Sequence, residues 1–170
     1  MKAREIARFG ILTAMALVLG YLERLLPIAP GLPGVKLGVA NTVLLYALYL
    51  MGNKQTALLL ILKVSLSGLL FGGPTALLYS FAGGILSLAG MMLVKKITSL
   101  SVMGVSICGA TLHNVGQILA ASLVVGPVPA FSYLPILVLS AIMTGMLTGL
   151  IARLVFRALD AAGLNQLENK

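Results

Sequence analysis

Acidic residues are nearly absent from this chain. Its 170 residues include four: Glu5, Glu23, Asp160 and Glu168. Asp160 is the one aspartate, so metal-assisted diphosphate chemistry lacks the oxygen ligands it needs. No two carboxylates share an apolar segment, and carriers driven by protons or sodium depend on such groups. One histidine, His113, and one cysteine, Cys108, exclude an internal disulfide and a metal site built from those residues. No GxxxxGKS or GxxxxGKT phosphate loop is present, and Gly72-Gly73-Pro74-Thr75 reads as a turn. HExxH and CxxC are missing too. The chain is therefore not expected to be an enzyme, and neither a cofactor nor a metal is expected.

Charge of either sign is scarce. Only 9% of residues are charged and 59% are hydrophobic, where a soluble domain averages about 25% charged. This composition predicts an all-α membrane protein. The net charge of +8 does not point to nucleic acid, because the basic residues sit at the ends of apolar runs, where membrane topology places them.

Six apolar segments follow, at about 8–25, 35–51, 56–71, 75–94, 102–125 and 133–156, each near the length a tilted or straight span needs. Together they form a domain over residues 1–156, with a polar tail at 157–170. The charged start MKAREIARFG before ILTAMALVLGYL resembles a signal peptide. No small-residue cleavage site follows, so it is expected to remain as the first span. With both termini cytoplasmic, nine cations lie inside (Lys2, Arg4, Arg8, Lys54, Lys95, Lys96, Arg153, Arg157, Lys170) and two, Arg24 and Lys36, outside. That asymmetry sets the orientation. All seven prolines then fall in or beside outer connections. The longest connection, PIAPGLPG, is expected to form a lid or mouth from Pro27, Pro30, Gly31, Pro33, Gly34 and Lys36.

Small residues recur at contact spacing: Ala76, Ser80 and Gly84; Ala141, Gly145 and Gly149; Gly10 and Ala14, then Ala16 and Gly20. Such rows let helix backbones approach in lipid. The first two are expected to pack the bundle. On the first segment, docking to another membrane protein is an equal alternative.

Lys63 stands at the middle of the apolar run TALLLILKVSLSGLLF. A cation near the bilayer centre costs at least about 2.5 kcal/mol on insertion scales. It is kept when the bundle supplies a partner, a wet cavity or a ligand. Thr56, Lys63 and Ser67 share a face, and His113, Asn114 and Gln117 lie within one arc of a helix. Asn41 and Glu23 complete a polar set in the middle and outer half of the bundle. Lys63 paired structurally with Glu23 is one reading, and a lone interior histidine is often merely satisfied. A binding site is the other. Lys63, Lys36 and Arg24 face only Glu23, which favours an anionic or polar solute of aromatic size.

The stretches MKAREIARFGILTAMALVLGYLERL, GLPGVKLGVANTVLLYALYLMG, LLLILKVSLSGLLFGG and ATLHNVGQILAA together resemble the Gx transporter family, whose members are often labelled heptaprenyl diphosphate synthase component I. More distantly, the chain is similar to the substrate-binding S components of energy-coupling factor transporters. That resemblance implies a six-helix bundle in the bacterial cytoplasmic membrane, open to the outside and gated by the loop between the first two helices. It implies a solute (a vitamin, flavin, or quinone or prenyl precursor) among Asn41, Lys63 and the His113–Gln117 arc. It also implies a transmembrane coupling subunit docked on Gly10, Ala14 and Ala16, with an ATPase pair supplying energy. Two alternatives stay open: a non-catalytic partner of a prenyl diphosphate synthase, and a scaffold subunit of an extracytoplasmic flavin or redox assembly.

Overall fold

The computed structural model describes residues 3–25, 38–97 and 100–161. They are helical almost throughout, and no strand occurs among them. In chain order the helices are α1 (Ala3–Leu25), α2 (Val39–Leu50), α3 (Asn53–Ser67), α4 (Gly73–Lys96), α5 (Val102–Val125), α6 (Pro127–Ser132) and α7 (Leu134–Ala161). A π-helical turn, Gly68–Gly72, closes α3.

Local chemistry sets these limits. The Ser101 hydroxyl accepts from the Gly104 N–H at 3.3 Å and caps α5. α4 starts at Gly73, whose φ of 72° is left-handed, and Pro74 fills its first turn. The π turn therefore cannot run straight on into α4, and the chain reverses there. The apolar stretch Asn53–Lys96 is thus a hairpin: Gly68 faces Leu77 and Gly84 faces Leu60, one number rising as the other falls.

The same antiparallel pairing continues through the bundle. Gly109 faces Met91 and Gly116 faces the Ala82 carbonyl across α4 and α5. Gly145 faces Ile107 and Gly149 faces Met103 across α5 and α7. The row Ala141, Gly145 and Gly149 thus packs on α5. α4 reaches α5 through Gly83 and α3 through Gly84, so its contact residues straddle the expected row.

Four stretches are long and apolar enough to cross a membrane: Glu5–Leu25, Asn53–Lys96, Val102–Val125 and Leu134–Ala161. α2 has 12 residues, roughly 18 Å of helix against a hydrocarbon core of about 30 Å. Leu44, Leu45, Leu48, Leu59 and Leu60 build the main core between α2 and α3. Outward surfaces carry Ile11, Val18, Ile85, Leu139 and Met143, all exposed. An apolar exterior around a satisfied helical backbone is what lipid requires as solvent.

Several bounds differ from expectation. The second segment becomes Gly38 plus α2, with 35–37 outside the described residues. The sixth begins at Leu134 and runs on to Ala161, so part of the expected tail is helix, and residues 162–170 lie outside the described residues. The connection before it holds the short helix α6, which Gly126 (φ 90°) and Pro127 initiate.

Candidate functional site

A cavity of about 120 Å³ lies among the helices, and every helix except α6 contributes to its wall. Glu23, Asn41, Lys63, Ser67, His113, Asn114 and Gln117 all line it. Residues from α1, α2, α3 and α5, separated by up to 94 positions (Glu23 to Gln117), are thus brought to one space.

The α1–α3 side holds the charges. Lys63 Nζ donates to Asn41 Oδ1 at 2.7 Å and to the Ala40 carbonyl at 3.3 Å. The Glu23 carboxylate accepts from the Val39 N–H, the first residue of α2. Gly38, at the N-cap of α2, has φ 73° and no side chain to cap with. Glu23 supplies that cap from α1, an anion at the positive end of a helix dipole. Arg24 also lines the cavity, and its Nη1 donates to the Phe71 carbonyl in the π turn at 2.5 Å. Tyr21 and Phe71 rings meet beside it, 4.9 Å apart.

The α4, α5 and α7 side brings no lysine, arginine, aspartate or glutamate to the cavity wall, and His113 lies on it. Asn114 Nδ2 donates to the Leu137 carbonyl at 2.7 Å, fixing α5 to α7. Its carboxamide oxygen remains the group it can present to a solute. Ser106 and Thr148 share a hydrogen bond of 2.7 Å deep in the same wall. Ser80, Ser87 and Thr144 add hydroxyls.

Arg24, Ser80, Ser87, Ser106, Thr144 and Thr148 were not among the expected site residues. Their signal was spacing: Ser80, Gly84, Ser87 and Met91 follow a helical stripe on α4, and Thr144 and Thr148 do so on α7. That stripe reads equally as small-residue packing. Thr56, expected on the Lys63 face, is fully buried; its hydroxyl returns to the Gly52 carbonyl at 2.8 Å and does not line the cavity.

Two other expected groups fall elsewhere. Pro27, Pro30, Gly31, Pro33, Gly34 and Lys36 lie outside the described residues. On α1, Gly10 and Ala14 are exposed but Ala16 is 0% exposed. Two residues on, a helix has turned about 200°, so Ala16 belongs to the packing face and the outward pair is Gly10 and Ala14. Among the described residues, no three His, Cys, Asp or Glu side chains come together.

These features define a class: an all-helical, multi-pass membrane protein whose bundle holds a cavity lined by both polar and apolar side chains. Within that class, the chain belongs to the family described as heptaprenyl diphosphate synthase component I, whose family model matches residues 12–155. That range holds every residue of the cavity wall named above. No curated protein and no solved structure matches the chain significantly.

Proposed function

We propose that the chain is the membrane-embedded binding subunit of a solute-uptake system, built like the S components of energy-coupling factor transporters. It crosses the bilayer six times, and both termini are cytoplasmic. The solute is small and anionic or aromatic: a vitamin, a flavin, or a quinone or prenyl precursor. A separate coupling subunit meets Gly10 and Ala14, and an ATPase pair energises release. The membrane is the bacterial cytoplasmic one.

One observation carries this reading. Charged, imidazole and amide side chains from α1, α2, α3 and α5, with hydroxyls from α3, α4, α5 and α7 beside them, converge on one cavity within a bundle whose exterior is apolar. Polar groups are costly inside a membrane, and their convergence on a cavity marks a substrate path or site. The loop 26–37 joins Arg24 on α1 to Gly38 before α2, both in the cavity wall, which supports a gating role for it. Thermal-shift screening of vitamins, flavins, quinone precursors and prenyl phosphates tests the reading. A stabilising solute should lose its effect in Lys63→Met while the unliganded melting temperature holds. Normal binding by that variant makes Lys63 structural.

The family description favours a second reading, a non-catalytic component that partners a prenyl diphosphate synthase. Stability restored only by that synthase, with no solute bound under any condition, selects it.

A further inference from the structure

Resting on the solute-binding reading, we infer that the cavity selects a compact monoanion whose remaining body is uncharged and rich in hydrogen-bonding groups. The two walls differ in kind. Arg24, Lys63 and Glu23 bring two cations and one carboxylate, all on α1 and α3. Glu23 already accepts from the Val39 N–H at the start of α2. The other acids of the sequence, Glu5, Asp160 and Glu168, belong to the two chain ends. The charged wall therefore carries one net positive charge. The N-terminal turn of α2, with Gly38, Ala40 and Asn41 in the wall, adds its dipole in the same sense.

The opposite wall brings Ser80, Ser87, Gln117 and Thr144, hydroxyls and an amide that pair with neutral oxygens or nitrogens, while Thr148 is taken up by Ser106 and the Gly145 carbonyl. A volume of about 120 Å³ is near that of a cavity known to admit benzene, about 150 Å³. A single ring or short branched chain fits that scale. Arg24 is the residue this adds to the site. Its guanidinium holds the Phe71 carbonyl through one nitrogen, and its planar fork has further donors for a carboxylate or phosphate oxygen.

The test uses the full chain in lipid nanodiscs, titrated with benzoate, 3-hydroxybenzoate and 3-methylbutanoate, with benzamide and 3-methylbutanamide as neutral counterparts. Each carboxylate should bind about tenfold or more tightly than its amide, the gain expected of one charged hydrogen bond. The ring hydroxyl should improve on benzoate. Arg24→Gln should reduce the carboxylate preference by about tenfold, while Arg24→Lys, which keeps the charge but loses the planar fork, should retain part of it. The unliganded melting temperature of each variant reports folding separately. Amides binding as tightly as carboxylates, or a preference unchanged in Arg24→Gln, overturns the inference alone. No binding by any compound overturns it together with the solute-binding reading.

Discussion

Lys63 is the residue on which the proposed site turns, and its hydrogen bonds explain how the bundle holds it. Asn41 Oδ1 and the Ala40 carbonyl accept from its ammonium, so α2 supplies oxygen where the bilayer supplies none. Replacing Asn41 with Leu takes one acceptor from a charged donor and should cost about 1–3 kcal/mol. A lowered unfolding midpoint in denaturant titration checks this, and an unchanged midpoint means the contact contributes nothing. Lys63→Met should hold or raise the midpoint, since the cation's desolvation cost leaves with it. Glu23, Asn41, Lys63, His113, Asn114 and Gln117 were legible in the sequence because a charged, imidazole or amide side chain in an apolar run has few innocent explanations, and Ser67 through its place on the Lys63 face. The other hydroxyls were not. Ser140 and Thr144 return hydrogen bonds to the Leu137 and Ala141 carbonyls of their own helix, and a serine or threonine that does so is ordinary in any helix. Arg24 was legible as a cation near a helix end, but sequence does not say that its side chain turns to Phe71 and the cavity wall.

At the scale of elements, α2 is unusual in being held at both ends by other helices. Glu23 on α1 caps its N-terminus, and Lys95 on α4 donates to the Leu48 carbonyl at 2.8 Å near its C-terminus. Both charges have the sign that the helix dipole favours. The Lys95 ammonium also lies 4.6 Å from the Tyr49 ring centre, and Tyr46 and Tyr49 meet Phe156 of α7. Lys95→Met should therefore lower stability by about 1–2 kcal/mol, read from the unfolding midpoint; a loss confined to folding yield without a shifted midpoint would count against the clamp. Glycine contacts give a second test. A methyl on Gly116 would sit 2.6 Å from the Ala82 carbonyl oxygen, whereas one on Gly10 meets nothing within 4 Å. Gly116→Ala should cost about 1–3 kcal/mol by separating α4 and α5, and Gly10→Ala should be neutral or slightly stabilising. The long helices were legible from hydropathy and length. α6 was not, because a stretch with Pro127, Pro129 and Pro135 reads as a connection, and only the left-handed Gly126 before it shows how Pro127 can begin a turn of helix. The small-residue rows showed where backbones approach, but not which neighbour each residue meets: adjacent Gly83 and Gly84 serve α5 and α3 respectively.

At the scale of the molecule, the antiparallel pairs place a leucine-rich core, and a cavity with polar side chains in its wall, inside an apolar exterior, an arrangement that suits the proposed solute capture. The proposed coupling partner would meet the outward face of α1, where Gly10 and Ala14 are exposed. Ala14→Leu should reduce co-purification of that partner severalfold while leaving solute binding intact; unchanged assembly removes the docking role from this face. The burial of Ala16 shows why three small residues near one another in sequence do not form one surface on a helix. Above all, the cavity is proposed to hold a small solute through Lys63. Native mass spectrometry of the gently purified chain, wild type beside Lys63→Met, tests it most directly. The expected result is a retained or added small anionic mass on the wild-type protein that is absent from a folded Lys63→Met. A wild-type protein that takes up no solute under any condition, or a variant that keeps the same mass, would contradict it.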